Sequence, residues 1–354
     1  MEIVRTMKIL ITGGSGFVGS HVSEYYAKKG DEVIVFDNLS RGETLKTADK
    51  RQTSYNWDHL KKVENIELVR GDIRRADDVV TAAEGVDAII HTAAQVAVTS
   101  SVEDPRTDFE INALGTFNVL EAARKSENSP AVVYCSTNKV YGENVNKIPV
   151  KEEETRYVFE GLDGVPETLS IDLCEHTPYG CSKLAGDLYV QDYVKLYGLR
   201  TAVFRMSCIY GTRQFGNEDQ GWVAHFVIST LTGKPLTIYG DGKQVRDVLY
   251  VSDLVRAYDL FLESNERGAV YNIGGGPKNT ISLLELLDLL EEEAGKRSEI
   301  TFSDWRPSDQ KVYISDISKA ERELNWRSQT SVKDGVERLI EWVEEHKFLF
   351  ELSK

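Results

Sequence analysis

The chain predicts an α/β fold, a doubly wound parallel sheet followed by a smaller C-terminal, substrate-binding α/β domain, and three observations carry that expectation. The first half alternates short β-branched runs with amphipathic stretches, the rhythm of strands buried on both faces under helices. The first of those runs empties into a glycine-rich turn, TGGSGFVG at 12–19. After about residue 206 the texture shifts toward Gly, Trp and Arg, with GDGKQVRD and NIGGGP ahead of long acidic amphipathic stretches.

Taken in order, KILIT reads as a strand and residues 16–29 as the helix that follows its turn. EVIVFD and IELVRGD are the next strands, DAIIHTA a fourth and AVVYCS a fifth, with a helix over 108–126 before the last. A helix over 178–197 leads to RTAVFR at 200–205, which continues the sheet. Because crossover connections are right-handed, such a series winds helices onto both faces of one sheet. The expected boundary is at 205. Residues 1–205, with part of 250–275 returning, form the nucleotide-binding domain, and 206–354 mainly the second. The stretches ISLLELLDLLEEEAG and DGVERLIEWVEE are helices whose acidic faces read as solvated surface.

Composition narrows the function. The 354 residues are 41% hydrophobic and 28% charged, with a formal net charge of −15 spread along the chain. That balance is globular and opposes binding to nucleic acid or to an anionic membrane surface. Local arginines and backbone N–H groups still allow an anionic small molecule. Four cysteines show no metal-ligand or C-x-x-C spacing, so no metal site is expected and the thiols fit a reducing compartment. No apolar run reaches the ~20 residues of a membrane span. The opening MEIVRTMKILITGG lacks a signal-peptide core, making cytoplasm the expected location.

The glycine turn follows a strand and opens a helix, the context in which such turns hold a dinucleotide pyrophosphate. Gly13, Gly16 and Gly19 allow the close approach, and Phe17 and Val18 form the first turn of the helix. The second strand ends at Asp37, whose carboxylate would accept from adenosine ribose hydroxyls and repel a 2′-phosphate, favouring NAD. Asn38, Ser40 and Arg41 continue that loop. Asp72, with Ile73, is placed to contact adenine, and Ala93, Ala94 and Gln95 close the end of the fourth strand.

Tyr179 and Lys183 stand four apart, on one face of a helix. A phenol near pKa ~10 needs about 3 units of bias to act as a base at neutral pH. The Lys183 ammonium and an oxidised nicotinamide would supply it, while Thr137 would hydrogen-bond the same substrate oxygen. These residues, with HTAAQ at 91–95 and IN at 111–112, make the chain resemble the extended short-chain dehydrogenase/reductases that modify sugar nucleotides. The resemblance spans nearly the whole chain. It implies that Asn112 fixes the active-site architecture and that the second domain binds a nucleotide diphosphate.

Within that family the 4,6-dehydratases carry an Asp-Glu pair after the Ser/Thr, and this chain has Asn138 and Lys139. Dehydration is thereby disfavoured and epimerisation, which returns its hydride, is favoured. STNKVYG, DFEIN at 108–112, ETRY at 154–157, HTPYGCSK at 176–183 and GKQVRDV at 242–248 resemble the CDP-paratose/CDP-tyvelose 2-epimerases. That likeness implies oxidation at C2 by tightly held NAD and a homo-oligomer, dimer or tetramer, built partly from helices 108–126 and 178–197. Candidates for the sugar pocket are Gln95, Thr99, Asn138, Lys139, His176 and Ser207. Arg246 and Arg306 are the expected diphosphate ligands, with Arg213, Gln214, Gln220, Trp222 and Asp309 nearby in the sequence pattern. Alternatives are a 4-epimerase of UDP-glucose/galactose and, in another class, a non-catalytic NAD(H)-binding sensor or scaffold.

Overall fold

The computed structural model describes residues 6–44, 49–306 and 309–350. Its largest element is a seven-stranded sheet made of β1 (Lys8–Thr12), β2 (Glu32–Asp37), β3 (Ile66–Arg70), β4 (Ala88–His91), β5 (Ala131–Thr137), β6 (Thr201–Met206) and β7 (Ala269–Ile273). The spatial order is β7-β6-β5-β4-β1-β2-β3. β1 pairs in parallel with both β2 and β4, β2 with β3, and β4 with β5. The chain therefore winds one way from β1 to β3 and then crosses back to β4. The carboxyl ends of β1 and β4 flank this reversal, where open α/β sheets bind their ligands.

The central strands are mostly apolar because both faces are covered: Ile9, Leu10, Ile11, Val33, Val35, Ile89, Ile90 and Val133 are all buried. The helices that matter for the site are α1 (Phe17–Lys29), α2 (Gly115–Lys125) and α3 (Pro178–Tyr197). Thr177 caps α3 by accepting from Gly180 N, Pro178 sits in its first turn, and Gly198 ends it in the left-handed conformation at φ 71°. The helix expected over 108–126 begins earlier, at Pro105, and changes pitch twice. Residues Pro105–Phe109 are α-helical, Glu110–Leu114 form a π-helical turn, and α2 follows.

The chain divides into two compact units. The first comprises Met1–Val140, Thr177–Arg205 and Ala257–Tyr271, and the second Tyr141–His176, Met206–Arg256 and Asn272–Lys354. A single boundary at 205 would leave 141–176 in the first domain, and the structure places that segment in the second. Backbone hydrogen bonding is the cause. Val150–Glu152 and Tyr157–Phe159 pair with each other, Tyr157 N donates to Lys243 O, and Val165 N donates to Ile314 O. The second unit's own strands include Val245–Tyr250, which pairs antiparallel with Thr280–Ser282 and parallel with Val312–Tyr313 and Cys208–Tyr210. No described helix is long and apolar enough to cross a membrane.

Candidate active site

Beyond β1 the backbone turns at Gly13, φ 65°, and Gly13 N donates to Phe36 O at 2.8 Å. A Cβ on Gly13 would stand 2.6 Å from Ala93 Cα, and one on Gly19 would stand 2.2 Å from Gly13 O. Gly13 must be bare for the turn to close against the end of β4, and Gly19 for α1 to close on the turn. The N-terminus of α1, starting at Phe17, is thus left with no side chain capping it, which suits a pyrophosphate. Asp37 ties the neighbouring loops by accepting from Ser15 N (3.1 Å) and Leu39 N (2.8 Å). A carboxylate offers about four acceptor sites, so ribose hydroxyls can still be accommodated.

Asn38 accepts from Ser40 N and Ser40 Oγ, and its amide donates to Asp72 at 3.1 Å. The Arg74 side chain forks onto Asp72 and, with the Asn38 amide, holds that carboxyl down at about 2. Asp72 thus stays ionised with both oxygens engaged. Arg41 opens the short helical turn Arg41–Thr44. Ile73 packs under Gly115, where a Cβ would lie 2.6 Å from its δ carbon. Val18, Ala93 and Ala94 are half-buried around the turn, and Phe17 is buried. The cradle fits NAD: bare glycines, an open helix end and a carboxylate at the end of β2.

The catalytic candidates of the first unit converge. Thr137 ends β5, and its hydroxyl meets Asn138 Oδ1 at 3.3 Å. Lys139 N donates to Thr137 Oγ1 at 3.3 Å, so the two residues after the strand order its hydroxyl through backbone and amide. Tyr179 N is held by Ser101 Oγ at 3.2 Å. Burial, above all, pushes the Tyr179 phenol up to about 12, with Asp108 and Cys135 adding and Thr137 opposing. Lys183 Nζ donates to Cys135 O at 2.6 Å and lies 4.4 Å from the centroid of the Tyr134 ring. Burial lowers this ammonium to about 8.

Asn112 sits in the π-helical turn. Its amide donates to Gln95 O, Asp108 Oδ1 and Ser182 Oγ at 3.0, 3.1 and 3.1 Å, and accepts from Gln95 N at 2.9 Å. The Gln95 side chain is spent in the same knot, on Asp108 Oδ1 and on the Ala97 backbone. Sequence reading had not assigned Asp108 or Ser182. Asp108 stands one turn ahead of Asn112 in DFEIN, the spacing that could have found it. Thr99 is exposed on the short helix Val98–Glu103.

In the second unit a cavity of about 750 Å³ is lined by Glu143, Glu175, Trp305, Arg306, Asp309 and Lys311 among others. Trp305 rests on Gly240, where a Cβ would come within 2.6 Å of the indole. Arg306 donates both terminal nitrogens to Glu218 O at 3.0 Å and lies 4.0 Å from the centroid of the Tyr239 ring. Arg246 pairs with Asp309 at 2.7 Å. Gln220 closes a tight turn with Asn217. The remaining candidates point to neighbours within the unit: Ser207 Oγ to Asp247, Gln214 Nε2 to Ile209 O at 3.2 Å and Trp222 Nε1 to Cys208 Sγ at 3.5 Å. His176 Nδ1 faces Cys174 O at 3.3 Å, and Arg213 is buried with φ 61°. Among the described residues no cluster of three or more potential ligands could hold a metal.

Comparison with known proteins agrees with this geometry. The family described as NAD dependent epimerase/dehydratase matches residues 9–274. A CDP-paratose 2-epimerase of Salmonella typhi is 42% identical over 95% of this chain and 99% of its own length. A dTDP-glucose 4,6-dehydratase of Salmonella typhimurium is 32% identical over 95% and 92%. The solved Thermus thermophilus UDP-glucose 4-epimerase, in complex with NAD, superposes with a TM-score of 0.79 at 32% identity, covering 96% of this chain and 99% of that one.

Proposed function

This chain belongs to the NAD-dependent epimerase/dehydratase family, and on that premise we propose that it inverts C2 of a CDP-3,6-dideoxyhexose, as in the conversion of CDP-paratose to CDP-tyvelose. Its cofactor is NAD, and its reaction class is nucleotide-sugar epimerisation. One observation carries the choice of epimerase over dehydratase: Thr137, Tyr179 and Lys183 are together at the end of β5, and the next two residues, Asn138 and Lys139, offer no carboxyl for removing water. The choice of C2 and of a CDP sugar rests on the likeness to the Salmonella typhi enzyme.

The turn of Gly13, Gly16 and Gly19 with Asp37 would hold NAD, which would supply a reversible hydride acceptor at the sugar carbon. The chain's own residues manage the proton and the geometry. Thr137 Oγ1 and the Tyr179 hydroxyl address the same sugar oxygen. Tyr179 takes that oxygen's proton as the ketone forms and returns it as the alcohol re-forms, so no proton leaves the site. Burial alone keeps the phenol protonated, and positive charge is therefore required to make the base. Lys183 contributes part of it, fixed by the Cys135 carbonyl.

The nucleotide diphosphate is assigned to the second unit. Arg306, Lys311 and Trp305 line a cavity of nucleotide-sugar size, and planar guanidinium groups match phosphate oxygens. Arg246 and Arg306 are engaged by Asp309 and Glu218, and phosphate would take over those bonds. The protein is further proposed to be a homo-oligomer. Phe109, Phe117, Leu188, Tyr189 and Leu196 are exposed on the segments 105–125 and α3, an apolar stretch suited to a second copy.

Product analysis by NMR tests the reading, with purified protein incubated without reductant on CDP-paratose and, separately, on UDP-glucose. Inversion at C2 of the CDP sugar is the expected outcome. Formation of galactose from the UDP sugar alone would move the assignment to C4. No turnover of either would leave an NAD-binding protein without this chemistry.

A further inference from the structure

Directly below the catalytic residues, in the first unit, is an ion pair almost wholly removed from water. Arg205, at the end of β6, is 5% exposed and Asp187, one turn beyond Lys183 on α3, is 0% exposed. Arg205 Nε donates to Asp187 Oδ2 at 2.9 Å and Arg205 Nη2 to Oδ1 at 3.1 Å. Ser136, the residue before Thr137, donates its hydroxyl to Oδ2 at 2.7 Å, and Gln191 donates to Oδ1 at 2.6 Å. Every side of the carboxylate is therefore satisfied. A buried pair of this kind rarely exceeds well-packed apolar residues as a stabiliser, so its position calls for another account.

We propose that Asp187 is a positioning residue for the reaction, acting in two ways: through Ser136 it fixes the end of β5 that carries Thr137, and as the counter-charge one helical turn away it keeps the Lys183 ammonium protonated. The inference deepens the epimerase reading and rests on it only for the role of Lys183.

The surroundings of Lys183 define the balance. Cys135 and Tyr134 face it from β5, His91 from β4, Asp108 from the segment ahead of the π-helical turn, and Asp187 from α3 itself. His91 carries no charge, because burial holds it down to about 3, so it gives Lys183 no competing cation. Burial pulls the Lys183 ammonium down, while Asp187 and Asp108 hold it up; the Cys135 thiol, pushed up to about 11 by burial, stays neutral beside it. Arg205 stands on Asp187 and offsets part of its charge. Asp187 thus sits between two cations, one fixed and one titrating.

The test is the titration of Lys183 in the NAD-loaded protein, followed by the 13Cε shift of labelled lysine and assigned by its loss in Lys183→Arg. The double variant Asp187→Asn with Arg205→Met removes the pair without stranding a buried charge. Its Lys183 midpoint should fall by up to about one pH unit, at most a tenfold loss of proton affinity, because Arg205 offsets only part of the Asp187 charge that leaves with it. Ser136→Ala, which leaves the charge in place, should keep the midpoint and lower kcat alone. Should the double variant fail to fold, Gln191→Lys, at a half-exposed position, places a second cation on Asp187 and should move the midpoint in the same direction. An unmoved midpoint in the folded double variant or in Gln191→Lys overturns the counter-charge role, and a wild-type kcat in Ser136→Ala overturns the role through Ser136. If no sugar is turned over, the epimerase reading fails while the titration still decides the role of Asp187.

Discussion

Tyr179 illustrates how a single side chain is made useful by what surrounds it. The sequence supplied the four-residue spacing to Lys183, because that relation is local to one helix. It did not supply the knot of Gln95, Asp108, Asn112 and Ser182, whose members come from separate segments and meet only through folding. Gln95 shows the difference well. Its place at the end of β4 suggested a ligand contact, yet both ends of its amide are spent on Asp108 and Ala97, so it shapes the loop from within. Tyr179→Phe should retain NAD and lower kcat by about 10²–10⁴-fold, because the sugar proton has no acceptor. Wild-type turnover in that variant, measured by steady-state kinetics, would remove Tyr179 from the chemistry.

At the scale of elements, the site depends on how closely α3 lies on β5. Gly186 is the residue that permits it, since a Cβ there would stand 2.5 Å from the Tyr134 hydroxyl oxygen and 3.2 Å from Thr116 Cγ2. The Tyr134 hydroxyl in turn donates to Lys183 O. Gly186→Ala should cost about 1–3 kcal/mol of stability by overpacking. It should also displace Lys183 from the Cys135 carbonyl, and urea unfolding paired with kcat measurement reads both effects. Strands and the long α3 were legible from period and caps. The π-helical turn at Glu110–Leu114 was not, because the one-residue slip it puts into the apolar spacing is too short to separate from ordinary scatter. The membership of 141–176 in the second unit was equally hidden, since it rests on bonds from Tyr157 to Lys243 and from Val165 to Ile314, far away in sequence.

For the whole molecule, Lys183 in its proposed role should couple catalysis to pH in one sense and folding in the other. Its ammonium is lowered to about 8 in the fold, against ~10.4 for a free lysine. Activity that needs this charge should be present below about 8 and fall as pH rises through it. Folding runs oppositely: the unfavourable burial of the charge is complete below the folded value and is relieved as pH climbs toward the unfolded one. Comparing wild type with Lys183→Met by pH–rate profile and thermal melting separates the two. At the same scale, Phe109→Glu with Leu196→Glu should convert a proposed oligomer to monomer in light scattering, leaving NAD binding intact. An unchanged mass would exclude that face as the interface.

The two compact units consist of three segments each, so the polypeptide passes from one to the other five times. Neither unit can be released by one cut, and neither is complete when its first segment leaves the ribosome. The sheet waits for β7, which begins at Ala269, well after the glycine turn at residue 13 has been made. Such threading makes the chain a poor substrate for swapping whole modules by recombination. New properties must instead arise in place, by single substitutions within segments that already belong to both units.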